Sequence, residues 1–263
     1  MIVTTGNEPK ASVWAHAQEL AAIFSAPLVS RGELSVEKLR DKYQTNDILI
    51  VTAKGARLER RGQQAFFFHP NTASFRIKRL ERGDNDTMLS VCQISPGDKV
   101  LDATMGLAAD AIVFAYATGE TGQVVGIESE PMIARLVRDG LTHWDTGSPA
   151  LIEAMRRVQV EQADHLDKLQ ALPDNSFDVV YFDPMFQQAV FESHGISTLR
   201  QLANDKVLTE ETIAQARRVA TRRVVLKEGT TGTLHEQLGF TPYRKREHQV
   251  IYSYMEALEG SER

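Results

Sequence analysis

One cysteine, Cys92, is all the chain of 263 residues contains, so a disulfide framework and any cysteine-based zinc site are excluded. Such usage fits a reducing compartment. Long hydrophobic runs are also lacking: the longest uninterrupted apolar stretch, Ala111 to Ala117, falls far short of the roughly 20 residues that span a bilayer. Met1 to Phe24 has no basic segment followed by a long apolar core, so a secretory signal is not expected. Together these absences predict a cytoplasmic protein with no membrane span. There is no internal repeat and no low-complexity segment. The seven histidines stand at no metal-ligand spacing from cysteines or carboxylates, so no metal site is expected.

Net positive charge is missing too. The balance is −5, which argues against a uniformly basic nucleic-acid binder. The charge is nevertheless uneven. Between Lys54 and Arg82 eight basic residues (Lys54, Arg57, Arg60, Arg61, Arg76, Lys78, Arg79, Arg82) face only Glu59 and Glu81. A local excess of this kind is either a phosphate-binding footprint or a solvated charged face.

What is present is the 42% hydrophobic and 25% charged composition of an ordinary globular protein. Apolar periodicity predicts strands at Met1–Thr5 and Asp47–Thr52, a helix over Pro9–Phe24, a helix from Ser35 to Tyr43 with Ser35 as its cap, and a hairpin over Lys54–His69. The polar group Arg82 to Asp86 marks a boundary near residue 80, leading into a helix from Thr87. The expectation is a small N-terminal α/β domain (1–80) that contacts the substrate, followed by a catalytic domain (81–263). In the latter, strands at Lys99–Ala103, Gln123–Glu128, Val158–Gln162, Phe177–Phe182 and Val224–Lys227 alternate with helical stretches, the pattern of a parallel sheet covered on both faces. A last strand, Gln249–Met255, follows the turn at Leu238–Phe240 and is expected to return antiparallel.

The chemistry lies at strand ends. Val100-Leu101-Asp102 runs into Ala103-Thr104-Met105-Gly106-Leu107 and then a helix, a turn at the edge where open α/β sheets bind ligands. Alanines at 108 and 109 break the dinucleotide glycine fingerprint, so no pyrophosphate cradle is present. Val124 to Glu128 ends in a carboxylate suited to ribose hydroxyls. Asp164, at the next strand end, suits an adenine amine, or simply caps a helix. The fourth strand stops at Asp183-Pro184-Met185-Phe186. An Asp oxygen and the carbonyl of the following Pro are two acceptors that can hold both N–H groups of a ring amine and free its lone pair. Phe186 offers a face on which a base can stack.

Asp183-Pro184-Met185-Phe186 resembles the Asp/Asn-Pro-Pro-Tyr/Phe motif of methyltransferases acting on exocyclic amines. With Leu101 to Leu107, Ile127-Glu128 and Val224-Val225-Leu226-Lys227 it resembles the bacterial small-subunit ribosomal RNA guanine-N2 methyltransferases, RsmJ-like enzymes, over about residues 97–255. This resemblance implies a class I methyltransferase fold, S-adenosylmethionine (SAM) as donor and a guanine amine in RNA as acceptor. It places the cofactor on Asp102, Thr104, Gly106, Ala109, Asp110, Glu128, Ser129, Asp164, His165 and Asp183, catalysis on Asp183, Pro184 and Phe186, and RNA on Arg76, Lys78 and Arg79. The chain departs from the family at Ala108-Ala109, where Gly-Arg is usual, at Ser129, where Arg is usual, and at Gln187 to Glu192, where proline and a basic run are usual. A methyltransferase acting on a small-molecule or protein amine, and a non-catalytic SAM-binding module, are the alternatives. A nicotinamide-dependent oxidoreductase is disfavoured by the missing glycines.

Overall fold

Apolar runs in the sequence become strands of two sheets in the computed structural model, which describes residues 1–184, 208–243 and 250–258. The first sheet has the order β1 (Ile2–Thr5), β2 (Asp47–Thr52), β3 (Gly55–Arg60), β4 (Phe66–Phe67). β1 pairs parallel to β2, and the other pairs are antiparallel. Helices α1 (Ala11–Ile23) and α2 (Val36–Tyr43) belong to this half, and Ser35 Oγ accepts from the Lys38 N–H at 3.2 Å as the expected cap.

The chain then passes through α3 (Asn71–Glu81) and α4 (Thr87–Cys92), the latter capped by Asp86, into the second sheet. Its strands are β5 (Lys99–Asp102), β6 (Gln123–Glu128), β7 (Val158–Gln162), β8 (Phe177–Phe182), β9 (Ala220–Gly229), β10 (Thr241–Pro242) and β11 (Val250–Glu256). They lie in the order β10-β11-β9-β8-β5-β6-β7. β7, β6, β5, β8 and β9 run parallel, and β11 returns antiparallel to β9 as expected. Between them come α5 (Ala109–Thr118), α6 (Pro131–His143), α7 (Pro149–Arg157), α8 (His165–Ala171), α9 (Glu210–Val219) and the single turn α10 (Leu234–Gln237). From β5 the chain steps outward to β6 and β7, then returns to β8 on the other side of β5. That reversal opens the crevice where such sheets take ligands. Among the described residues no helix is long and apolar enough to cross a membrane.

Strand alternation sends neighbours to opposite faces. Val100, Val179 and Tyr181 pack with Ile112 and Phe114 of α5, whereas Leu101, Val180 and Phe182 pack with Ile213 and Ala216 of α9. The first of these cores runs on without a break into Val3 of β1, Leu20 of α1, Phe66 of β4 and Phe68 just beyond it.

Three elements differ from expectation. Helix α3 occupies a stretch for which the sequence pattern predicts no element, because Ala73, Ile77 and Leu80 at helical spacing are interleaved with charges that mask the stripe. A division at residue 80 therefore falls in the last turn of α3, whose Ala73 and Ile77 share the core with α5. Short α8 follows the Asp164 cap. Strand β9 starts at Ala220 rather than Val224, since Arg222 and Arg223 find Asp98 and Glu256 as partners and can stay extended.

Candidate active site

Four parallel strands, β8, β5, β6 and β7, end on one edge of the sheet with Asp183, Asp102, Glu128 and Asp164 at or just beyond their last residues. The turn after β5 is tied to both neighbouring strands: the Ala103 N–H donates to Tyr181 O at 2.8 Å and the Met105 N–H to Ile127 O at 2.9 Å. Gly106 (φ 51°) and Ala108 (φ 61°) are both left-handed and turn the chain into α5. For Ala108 that conformation costs about 1–2 kcal/mol, which glycine would avoid. Gly126 of β6 leaves room for Met105; a Cβ there would stand 2.3 Å from Met105 Sδ. The buried Glu128 carboxylate accepts from the Glu130 N–H at 2.8 Å. Burial, then the charge of Glu130, raises its pKa against the N–H groups of Glu130, Ser129 and Gly106.

Beneath this edge lies a buried charge network. Lys227, which ends the apolar run Val224–Leu226, donates to Asp183 Oδ2 at 2.7 Å and to Asp110 Oδ2 at 3.0 Å. The Tyr181 hydroxyl donates to Asp110 Oδ2 at 2.8 Å. Arg76 forks onto Asp86 with two bonds of 2.7 Å and also bonds Asp110 Oδ1. The Asp183 N–H donates to Thr104 Oγ1 at 2.6 Å, and Asp102 Oδ1 accepts from the Thr104 N–H at 3.3 Å. Burial works to raise Asp110, but Lys227 and Arg76 hold it below the usual carboxylate range. Burial pushes Asp183 up to about 6, with Asp110 adding and Lys227 opposing. Asp102 rises for the same reasons, burial first and then Asp110 and Asp183. Burial would lower Lys227, but Asp110 and Asp183 keep it well above its ordinary value. Two cations, Arg76 and Lys227, thus face four carboxylates, Asp86, Asp102, Asp110 and Asp183. The raised pKa values of Asp102 and Asp183 express that shortage of cations, and a cationic ligand beside them would favour their ionised forms.

The structure corrects one expected role. Arg76 does not face phosphates: its side chain is 14% exposed and is committed to Asp86 and Asp110. Asp110 is engaged within the fold, its Oδ1 accepting from Arg76 and its Oδ2 from Lys227 and the Tyr181 hydroxyl. Asp164 caps α8, accepting from the Leu166 N–H at 2.9 Å. Thr104, Gly106, Ala109, Ser129, Asp164, His165, Asp183 and Pro184 are half-buried around the strand ends, and His165 meets the Phe182 ring edge-on at 6.2 Å between centroids. Lys78 and Arg79 lie exposed on α3, Arg79 paired with Asp84 at 3.1 Å. Phe186 lies outside the described residues. Sequence reasoning missed Lys227 and Tyr181 as members of the site; a lysine closing an otherwise apolar strand was the available signal.

Residues 34–247 match the family described as "Putative SAM-dependent methyltransferase". The chain belongs to this SAM-dependent methyltransferase family. SAM is its cofactor, and the acidic residues at the strand ends fit that choice, since SAM, with a sulfonium, an ammonium and a carboxylate, carries a net positive charge. The methyltransferase is 43% identical over 245 residues to the uncharacterized protein YpiP of Bacillus subtilis, covering 93% of this chain and 95% of that one. Ribosomal RNA small subunit methyltransferase J of Dechloromonas aromatica is 32% identical over 157 residues, 57% of this chain and 62% of its own. The protein of that name from Acinetobacter baumannii is 28% identical over 234 residues, 80% of this chain and 81% of its own. In fold, a SAM-dependent methyltransferase from Neisseria gonorrhoeae superposes with a TM-score of 0.64 at 17% identity, over 99% of this chain and 98% of that one. The class I methyltransferase fold that the resemblance implied is the one observed.

Proposed function

We propose that this methyltransferase acts on the exocyclic N2 amine of a guanine in small-subunit ribosomal RNA. The observation that carries the reading is the placement of Asp183-Pro184 at the end of β8, with the Asp183 backbone pinned to Thr104 of the β5 turn and its carboxylate held by Lys227. A SAM sulfonium supplies an electrophilic methyl group. In our reading Glu128 binds its ribose and Asp164 its adenine amine, while Asp102, Thr104, Gly106, Ala109, Ser129 and His165 complete the pocket. Asp183 and the Pro184 carbonyl accept the two N–H groups of the target amine, and Phe186 stacks on the base. The Asp183 carboxylate, poised at about 6, then takes the proton that the methylated nitrogen gives up. Lys78 and Arg79, with the N-terminal part of the chain, contact RNA phosphates. The names of the Dechloromonas and Acinetobacter relatives support this acceptor.

One observation favours a second reading, a small-molecule or protein amine as acceptor. Much of the basic segment is neutralised within the fold: Arg57 pairs with Glu59, Arg60 with Asp47 and Arg61 with Asp41. Transfer of tritiated methyl to small ribosomal subunits from cells lacking the gene tests both. Wild type is expected to label the RNA as N2-methylguanosine, with binding that weakens steeply as salt rises. Asp183→Ala is expected to lose at least 100-fold in rate, by the usual scale of about 10²–10⁴ for a positioned acid–base group, while retaining SAM binding. An unlabelled RNA alongside intact SAM binding refutes the ribosomal acceptor.

A further inference from the structure

Spacing along the chain gave no metal-ligand set, yet the fold assembles one far from the strand ends. Asp139 and His143 stand one turn apart on α6, at its carboxyl end, and His16 reaches them from α1, 123 residues away in sequence. The Asp139 side chain is fully buried. Its Oδ2 accepts from the Ala56 N–H of β3 at 3.0 Å, which orients the carboxylate so that Oδ1 faces both imidazoles. Oδ1 bonds His16 Nε2 and lies 3.4 Å from His143 Nδ1. The two rings stack with centroids 4.2 Å apart and planes 25° apart. All three donor atoms fall within 4.8 Å of one another.

We propose that His16, Asp139 and His143 bind a divalent first-row transition metal of the Zn²⁺ type, clasping α1 to α6. Two imidazole nitrogens and a carboxylate oxygen are a donor set that suits Zn²⁺ and not the harder Mg²⁺. Bonds of about 2.0–2.1 Å in a tetrahedron put ligand atoms roughly 3.3 Å apart, the scale of the His143–Asp139 separation; His16 Nε2, now hydrogen-bonded to Asp139 Oδ1, moves off that oxygen and the stacked rings turn so that both lone pairs meet at the ion. The Ala56 N–H is the outer support that ligating carboxylates ordinarily have. His143 is 43% exposed, which gives the ion a path in and leaves a fourth position for water. Each ring becomes a ligand by carrying its proton on its other nitrogen, so His143 Nδ1 exchanges its 3.0 Å contact with the Asp139 main-chain oxygen for the metal. The site is separate from methyl transfer, and its role is to hold the N-terminal half against the large sheet.

The test is calorimetric titration of the full chain, stripped with chelator, using ZnCl₂ and MgCl₂ separately. The expected result is one Zn²⁺ per chain, a Zn²⁺-dependent rise in Tm, no Mg²⁺ binding, and visible d–d absorption of the four-coordinate type with Co²⁺. His143→Ala, at an exposed position that the fold tolerates, should weaken Zn²⁺ at least tenfold and abolish the Tm rise, whereas His69→Ala should change neither. Absence of saturable Zn²⁺ binding in wild type, or binding that His143→Ala retains in full, overturns the proposal.

Discussion

At the scale of single residues, the behaviour of the site follows from too few cations among buried carboxylates. Asp183 is useful as an acceptor in its ionised form, and with its pKa raised to about 6 it ionises just below neutrality. Methyl transfer is therefore expected to climb as pH rises through about 6 and to level off above it. Lys227 is the group that opposes the rise, so Lys227→Met should move the midpoint upward, which a pH profile of kcat/KM with the proposed RNA acceptor would read; an unmoved midpoint would take Asp183 out of the pH dependence. Arg76 makes a different point. It sits in the most basic stretch of the sequence and yet neutralises Asp86 and Asp110 inside the fold. Removing one partner of a buried ion pair leaves the other uncompensated, and Arg76→Met is expected to destabilise by about 3–5 kcal/mol in urea unfolding. If RNA is the acceptor as proposed, the salt slope of its binding should be the same as in wild type.

At the scale of elements, glycines decide how closely parts approach. In α6, Gly140 faces Phe68, which follows β4: a Cβ at 140 would lie 2.2 Å from Phe68 Cγ and 2.4 Å from its Cβ. Alanine is the better helix former by about 1 kcal/mol, so propensity alone favours Gly140→Ala. The contact decides otherwise, because Phe68 is buried and its own Cβ is part of the clash, leaving no rotamer that clears it. Overpacking of this kind costs about 1–3 kcal/mol, and a net loss of stability in thermal or urea unfolding is the expected outcome. A gain would mean that the two halves separate more readily than their shared core implies.

At the scale of the whole molecule, the first sheet is fastened to the second by a continuous apolar core and by polar ties along α6. Arg135 reaches Glu19 of α1 at 2.7 Å, and Asp139 binds both His16 and the β3 backbone. α3 adds a further tie, with Ile77 in the common core and Arg76 in the charge network under the strand ends. A change in the N-terminal half is thereby mechanically linked to the place where Asp183 stands. The Zn²⁺ clasp acts on the same seam.

The sequence by itself determined the strand and helix rhythm, the antiparallel last strand and the acidic strand ends. These are local matters: apolar period sets the element, and a residue at or just past the carboxyl end of a parallel strand lies on the sheet edge where ligands bind, wherever that strand sits in the sheet. Asp102, Glu128, Asp164 and Asp183 were legible for that reason. Only the tertiary structure decided which charges meet. Arg76 with Asp110, Lys227 with Asp183, and His16 with Asp139 are separated by 34, 44 and 123 positions. No periodicity encodes such pairs, because the cost of leaving a buried charge unpartnered is imposed only once folding has removed the water around it.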